Sequence, residues 1–267
     1  MSQLGVEGLR AERDLALEIF SSLDDAEWNA PSDCAGWTVR DVVAHMGSIL
    51  HGVADPAHMV DISGGAEDAM EAPVAERRGW PIGDVVAEYE TYSAQVGDAT
   101  ATFQDPPLSE TMLPMADLGT HPMAIMSDMF LFDVYCHLRN DILQPNGPID
   151  RPEPPRDEKR LRPTAEWMLA GLPWMSADAL RGVVDRPIVL ELTGPGAGAW
   201  TIAAGDDSTE GRVRVTEGAA PDAAATVRSG AHDFVIWGTR RRPWRDLVEI
   251  SGDEDYATRF LDAVRIF

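Results

Sequence analysis

Apolar residues recur at helical spacing in four stretches of the first half of the chain, and the second half changes to short apolar runs. The first stretch, residues 5–23, places Leu9, Leu15, Ile19 and Leu23 on one stripe. The second follows Gly36-Trp37, where Thr38 suits an N-cap and Val39, Val42, Val43, Met46, Ile49 and Leu50 supply the inward face. Asp41 lies three residues after that cap, where a carboxylate suits the positive end of a helix, although Asp in place of Glu predicts only an imperfect capping box. The third stretch, 82–103, repeats Val85, Val86, Tyr89, Tyr92 and Val96; the fourth, 122–143, carries Ile125, Met129, Phe130, Val134 and Leu138. Four such helices close a bundle, with the residues between the second and third forming a crossover or lid. Gly64, Gly65 and Pro73 keep that crossover from being one regular helix.

Residues 144–163 hold six prolines and nine charged residues, too little apolar material for a core element, and read as a linker. Beyond them the pattern predicts a helix at 164–170, strands at 188–192, 200–202, 212–215, 225–227 and 234–237, and a closing helix at 253–264. The fold class expected is therefore two-domain: an all-α four-helix bundle over 1–143, the linker, and a small α+β domain over 164–267. The length of 267 residues supports two cores, since a typical domain has roughly 100–200 residues. Gly194, Gly196 and Gly198 are interrupted by Pro195 and read as a turn between strands, with no phosphate-binding fingerprint.

Charge narrows the partners. Asp and Glu number 45 against 22 Lys and Arg, a formal charge of −23, which repels phosphate backbones and anionic membranes. Nucleic acid and membrane are thus excluded as expected partners, and oligomeric state is left open. No apolar run approaches the ~18–20 residues of a bilayer span, and the opening residues lack the basic and apolar regions of a secretion signal. Cys34 and Cys136 are too few for a disulfide scaffold, in keeping with a reducing compartment, and the expected location is the cytosol.

The chemistry is concentrated in three residues. Asp133 and His137 stand at i and i+4, on one helical face, where carboxylate and imidazole can address one ion. His45 lies in the middle of the second apolar stretch, where a buried imidazole needs a partner. Together the three suit Zn²⁺ foremost, or Fe²⁺, Mn²⁺ or Ni²⁺, and three protein ligands leave positions open for catalysis. The alternatives at this point are a surface or capping pair for Asp133 and His137, and a hydrogen bond from His45 to Asp41. Cys136 and Cys34 read as structural, Trp28 and Trp37 as anchors of the first interhelical loop, and His51, His58, His121 and His232 show no paired spacing for a second site.

The segment Trp28 to His45, WNAPSDCAGWTVRDVVAH, resembles the opening signature of the DinB-like, mycothiol-dependent maleylpyruvate isomerase family, and Asp133 to Ile142, DVYCHLRNDI, resembles its second motif. The resemblance implies a metal-binding helical domain followed by a smaller α/β domain, with His45, Asp133 and His137 as metal ligands. Relatives usually carry glutamate where this chain has Asp133. It also implies mycothiol as thiol cofactor or cosubstrate, and an electrophilic or unsaturated small molecule as substrate. A functional arginine is implied near Arg240, Arg241 and Arg242, with Arg240 the first choice for reaching across a domain cleft to an anionic group; a surface cluster paired with Asp246 and Glu249 is the alternative. The expected activity is thiol addition leading to cis–trans isomerisation of a maleylpyruvate-like substrate or to S-transfer. A metal–water hydrolase or hydratase without mycothiol, and a metal-stabilised binding or regulatory protein, remain as other readings.

Overall fold

The computed structural model describes residues 3–266, and the chain divides into two compact units, 1–116 with 120–155 and 117–119 with 156–267. The first is built on four helices that follow the apolar stripes: α1 (Gln3–Ser21), then, after the short α2 (Asp25–Trp28), α3 (Val39–Ala54), and, after the crossover turns α4 (Ala66–Ala69) and α5 (Glu71–Arg77), α6 (Ile82–Thr102) and α7 (Met126–Cys136). Helix α3 packs chiefly on α6, and α1 on α7.

The unit is not a clean four-helix bundle. The crossover contributes its own short helices, strands β1 (Met112–Pro114) and β2 (Thr120–Pro122) form an antiparallel hairpin, and the fourth stretch changes character along its length. A 3₁₀ turn precedes α7, and residues 137–142 follow it as a π-helical segment closed by Leu143 N–H to Leu138 O, 3.0 Å. Such a wider turn re-aims side chains that a regular helix would hold elsewhere.

Local chemistry sets the rotation of α3. Thr38 caps it with a complete reciprocal box, the Asp41 carboxylate accepting the Thr38 N–H at 2.9 Å and Thr38 Oγ1 accepting the Asp41 N–H at 3.3 Å, so Asp proves long enough. Val42, Val43 and Met46 are fully buried, each contributing about 1.5–3 kcal/mol of apolar transfer free energy, and this holds His45 on the inner side of the helix.

The second unit is mixed α/β. A five-stranded sheet runs in the order β5-β4-β3-β6-β7, from β3 (Ile188–Thr193), β4 (Gly198–Ala203), β5 (Arg214–Glu217), β6 (Ala225–Gly230) and β7 (Val248–Gly252). Strands β3 and β6 are parallel at its centre and the other pairs antiparallel. Four helices accompany it: α8 (Glu158–Met175), α9 (Ala177–Arg181), α10 (Ala231–Gly238) and α11 (Glu254–Ala263).

Three expectations change here. Residues 158–163 are not linker but the opening of α8, which Asp157 caps by accepting the Arg160 N–H and which continues through Pro163. The run Phe234-Val235-Ile236-Trp237 is helical, in α10, since four apolar residues carry no period and burial within a helix serves them equally. Strand β7 was missed because it is a short edge strand with half-exposed apolar positions. The glycine turn does join β3 to β4, with Gly194 and Gly196 at φ of 77° and 83°, values that a side chain would strain.

Candidate metal centre

His45 from α3 and Asp133 and His137 from the fourth stretch meet inside the first unit. Asp133 Oδ1 lies 3.5 Å from His45 Nε2 and 3.4 Å from His137 Nε2, and the imidazoles stand edge to face with centroids 4.8 Å apart. Two donors on a tetrahedral ion with bonds of roughly 2.0–2.1 Å are about 3.3–3.4 Å apart, so the carboxylate is at ligand spacing from both imidazoles. One Asp oxygen thus serves both histidines without the extra methylene of glutamate. The set is sheltered but not sealed: the side chains of His45, His137 and Asp133 are 8%, 13% and 23% exposed. Asp41 is engaged with Thr38 and Arg78, and the partner that the structure gives His45 is Asp133.

The turn after the α-helix supplies a residue that the spacing reading passed over. Asp141, within the π-helical segment, places Oδ2 2.6 Å from His137 Nδ1 and has a side chain 1% exposed. A buried carboxylate on the far nitrogen fixes ring orientation and tautomer, the usual outer partner of a metal-ligating histidine. The repeat Asp133, His137, Asp141 at four-residue spacing was visible in the sequence, and the π-helical segment keeps its third member on the same ring. Among the described residues His45 Nδ1 is buried without a hydrogen-bond partner, so its ring is held by Asp133 at Nε2 and by packing, including the Trp37 ring at 5.2 Å.

Electrostatics divides the two histidines. Burial dominates at His45 and lowers its pKa, favouring the neutral imidazole that binds metals. At His137 burial is opposed, and outweighed, by Asp133 and by the hydrogen bond to Asp141, so its pKa rises well above the usual value. Burial would raise the Asp133 pKa, but His137 and His45 outweigh it and hold the carboxyl far below its ordinary range. Without an ion, the imidazolium of His137 and the carboxylate of Asp133 neutralise each other. The His137 contribution to stability is full below the usual imidazole pKa and fades as pH rises through the raised one; that of Asp133 is lost as pH falls through its depressed pKa.

The donor set fits a divalent ion, provided that His137 gives up its Nε2 proton. Loading Zn²⁺ is expected to release about one proton per ion, with affinity rising about tenfold per pH unit until the raised pKa of His137 is passed. Calorimetry in buffers of different ionisation enthalpy measures this directly, and binding that releases no proton across that range would contradict the assigned charge state.

Other singled-out residues fall as follows. Cys136 is buried, its sulfur accepts from Asn140 Nδ2 at 3.7 Å, and it belongs to none of the possible ligand clusters among the described residues. Cys34, expected to be structural, lies 3.8 Å from His137 Nδ1. Trp28 is buried, whereas Trp37 both faces His45 and donates to Glu71, 2.8 Å. His51 and His58 gather with Asp55, which their spacing did not suggest; a Cβ at Gly52 would sit 2.8 Å from His58 O, so glycine admits this approach. Their rings are stacked, with centroids 4.1 Å apart and planes 27° from parallel, and His51 Nδ1 is already held by Glu88 Oε1 at 2.7 Å. Arg240 lies after α10 in the second unit, with its Nε and Nη2 donating to Val264 O and Asp262 O at the end of α11.

Comparison with known proteins places this site in context. Residues 9–112 match the family described as the mycothiol maleylpyruvate isomerase N-terminal domain, a span that includes His45 but ends before Asp133 and His137. The crystal structure of the mycothiol-dependent maleylpyruvate isomerase superposes with a TM-score of 0.56 at 16% identity, covering 94% of this chain and 96% of that one. A histidine-to-alanine mutant of that isomerase gives a TM-score of 0.55 at 16% identity with the same coverage. At this identity the likeness is one of fold, extending over both units. No curated protein matches the sequence. Among the described residues, no helix is long and apolar enough to cross a membrane.

Proposed function

We propose that the chain is a metal-dependent enzyme that uses mycothiol, adding the thiol to an electrophilic or unsaturated small molecule. The product is either the cis–trans isomer of a maleylpyruvate-like acid, when the thiol is eliminated again, or a stable thioether. The observation that carries the reading is the convergence of His45 Nε2, Asp133 Oδ1 and His137 Nε2 in a fold shared with the mycothiol-dependent isomerase. A divalent ion, Zn²⁺ foremost, would supply a Lewis acid that favours thiolate over thiol at neutral pH and polarises a substrate oxygen. His45 serves as a neutral donor, Asp133 supplies the compensating negative charge, and Asp141 holds the His137 ring through Nδ1. Arg240 enters as the anion-recognising residue on the resemblance alone, and this role requires exchange of its bonds to the α11 carbonyls.

The test pairs metal analysis with a mycothiol-dependent screen of electrophiles and unsaturated acids. Turnover that needs both metal and thiol is expected, with recovery of free thiol marking isomerisation and a retained adduct marking transfer. In the cobalt-substituted protein, saturating mycothiol is expected to alter the visible absorption. Turnover independent of thiol, with an unchanged cobalt spectrum, would overturn the proposal in favour of hydrolysis or hydration.

A further inference from the structure

His137 presents its two ring nitrogens to two different groups of donors. Nε2 faces His45 and Asp133, as described; Nδ1 faces Asp141 Oδ2 at 2.6 Å and Cys34 Sγ at 3.8 Å. One donor atom each from Cys34, His137 and Asp141 lie within 4.8 Å of one another. A thiolate and an imidazole on one tetrahedral ion, with bonds of about 2.3 and 2.05 Å, are separated by about 3.6 Å. The Cys34 sulfur therefore already stands near ligand spacing from the ring. The carboxylate has to retreat from hydrogen-bond distance by less than about 1 Å to reach a donor spacing of about 3.3 Å.

The backbone holds these residues in place independently of any ion. Asp33 N–H donates to Asp141 O at 3.0 Å, which fastens the Cys34 loop to the π-helical segment. Ser32 Oγ accepts the Cys34 N–H at 3.2 Å, and Trp37 N–H donates to Cys34 O at 3.0 Å. Cys34 is a free, half-buried cysteine, and Asp141 is buried. The thiol makes its polar contact with His137 Nδ1, at 3.8 Å. Sulfur, imidazole nitrogen and carboxylate oxygen form a donor set softer than the two histidines and aspartate on the other side of the ring.

We propose that Cys34, His137 Nδ1 and Asp141 form a second cation site, for a thiophilic divalent ion such as Zn²⁺ or Cd²⁺, adjoining the first site through the shared imidazole. It builds on the proposed His45–Asp133–His137 centre only in sharing His137, and filling both sites makes that ring a bridging imidazolate. Binding displaces the thiol proton of Cys34 and the Nδ1 proton of His137 to solvent, with no change of oxidation state. A second ion also removes Asp141 from its hydrogen bond to the ring, so excess thiophilic metal perturbs the first centre.

Titration of the metal-free full-length chain with Cd²⁺, followed by thiolate-to-cadmium charge-transfer absorption in the ultraviolet, tests the proposal. Two equivalents are expected, one of them accompanied by the absorption. Cys34→Ser and Cys34→Ala are each expected to abolish the absorption and weaken that equivalent by at least about tenfold, while the other equivalent persists and reports a folded protein. His45→Ala is expected to do the reverse, losing the equivalent without the absorption. Loss of the silent equivalent alone from the unmodified chain would therefore count against the first centre and leave this one standing. Absence of the absorption, its survival in both Cys34 variants, or a single equivalent abolished equally by the Cys34 and His45 substitutions would overturn it.

Discussion

Replacing Asp133 with Asn is expected to lower divalent-metal affinity by at least about a hundredfold and to remove most turnover at limiting metal. The amide keeps the size of the side chain but gives up the charge that lies 3.4 and 3.5 Å from the two imidazoles. Two consequences follow from that loss. The ion meets a weaker, neutral oxygen donor, and His137 loses one of the two carboxylates that set its charge state. Added metal should restore part of the activity, because His45 and His137 still converge. Asp133→Glu is expected to fall between the two, since the present carboxylate already reaches both histidines and an added methylene carries it past them. Asp84→Asn, an exposed aspartate early in α6, provides the control and should change neither quantity. Metal content and thiol-dependent turnover are to be measured together. Full occupancy and unchanged turnover in the Asn variant would remove Asp133 from the centre.

The second large effect is expected at the ion pair of Glu12 in α1 with Arg139 in the π-helical segment. Their side chains are 0% and 3% exposed, the Arg139 guanidinium also lies 4.1 Å over the Tyr135 ring, and its Nη2 donates to Pro155 O at 3.1 Å. Glu12→Gln keeps the shape and leaves a buried cation without its counter-charge, at an expected cost of about 3–5 kcal/mol in the unfolding of the helical unit. The double substitution Glu12→Met with Arg139→Met should recover most of this, because burying two apolar groups avoids desolvating two charges. Arg139 stands between His137 and Asp141 in sequence, so the Gln variant should also bind metal more weakly. Denaturant unfolding of the metal-free protein, followed by helical circular dichroism, checks the energetic statement. An unchanged midpoint for Glu12→Gln would refute it.

Much of the helical unit was legible because amphipathic periodicity is a local property. Thr38 and the Val42, Val43, Met46 face specify where α3 begins and which side turns inward, and the observed helix starts at Val39 with that side buried. The i and i+4 spacing of Asp133 and His137 likewise follows from helical geometry alone. Legibility failed where a short apolar run has no period, as in α10, and where a strand such as β7 gains its identity only by pairing with β6. It failed again at the connector, where proline and charge masked the first turns of α8.

The sequence by itself thus determined the helix faces, the acidic character of the chain and the residue types able to hold an ion. Only the tertiary structure decided which of them meet. His45 is 88 residues from Asp133, and the packing that brings them together is set by contacts summed over several helices, which no local window contains. Packing also brought Cys34, from the loop before α3, to the ring nitrogen that Asp141 addresses, on the side that Asp133 leaves open. The separation between two donors is a tertiary quantity: a side chain chosen for its chemistry becomes a ligand only when buried packing elsewhere fixes the distance to its neighbour.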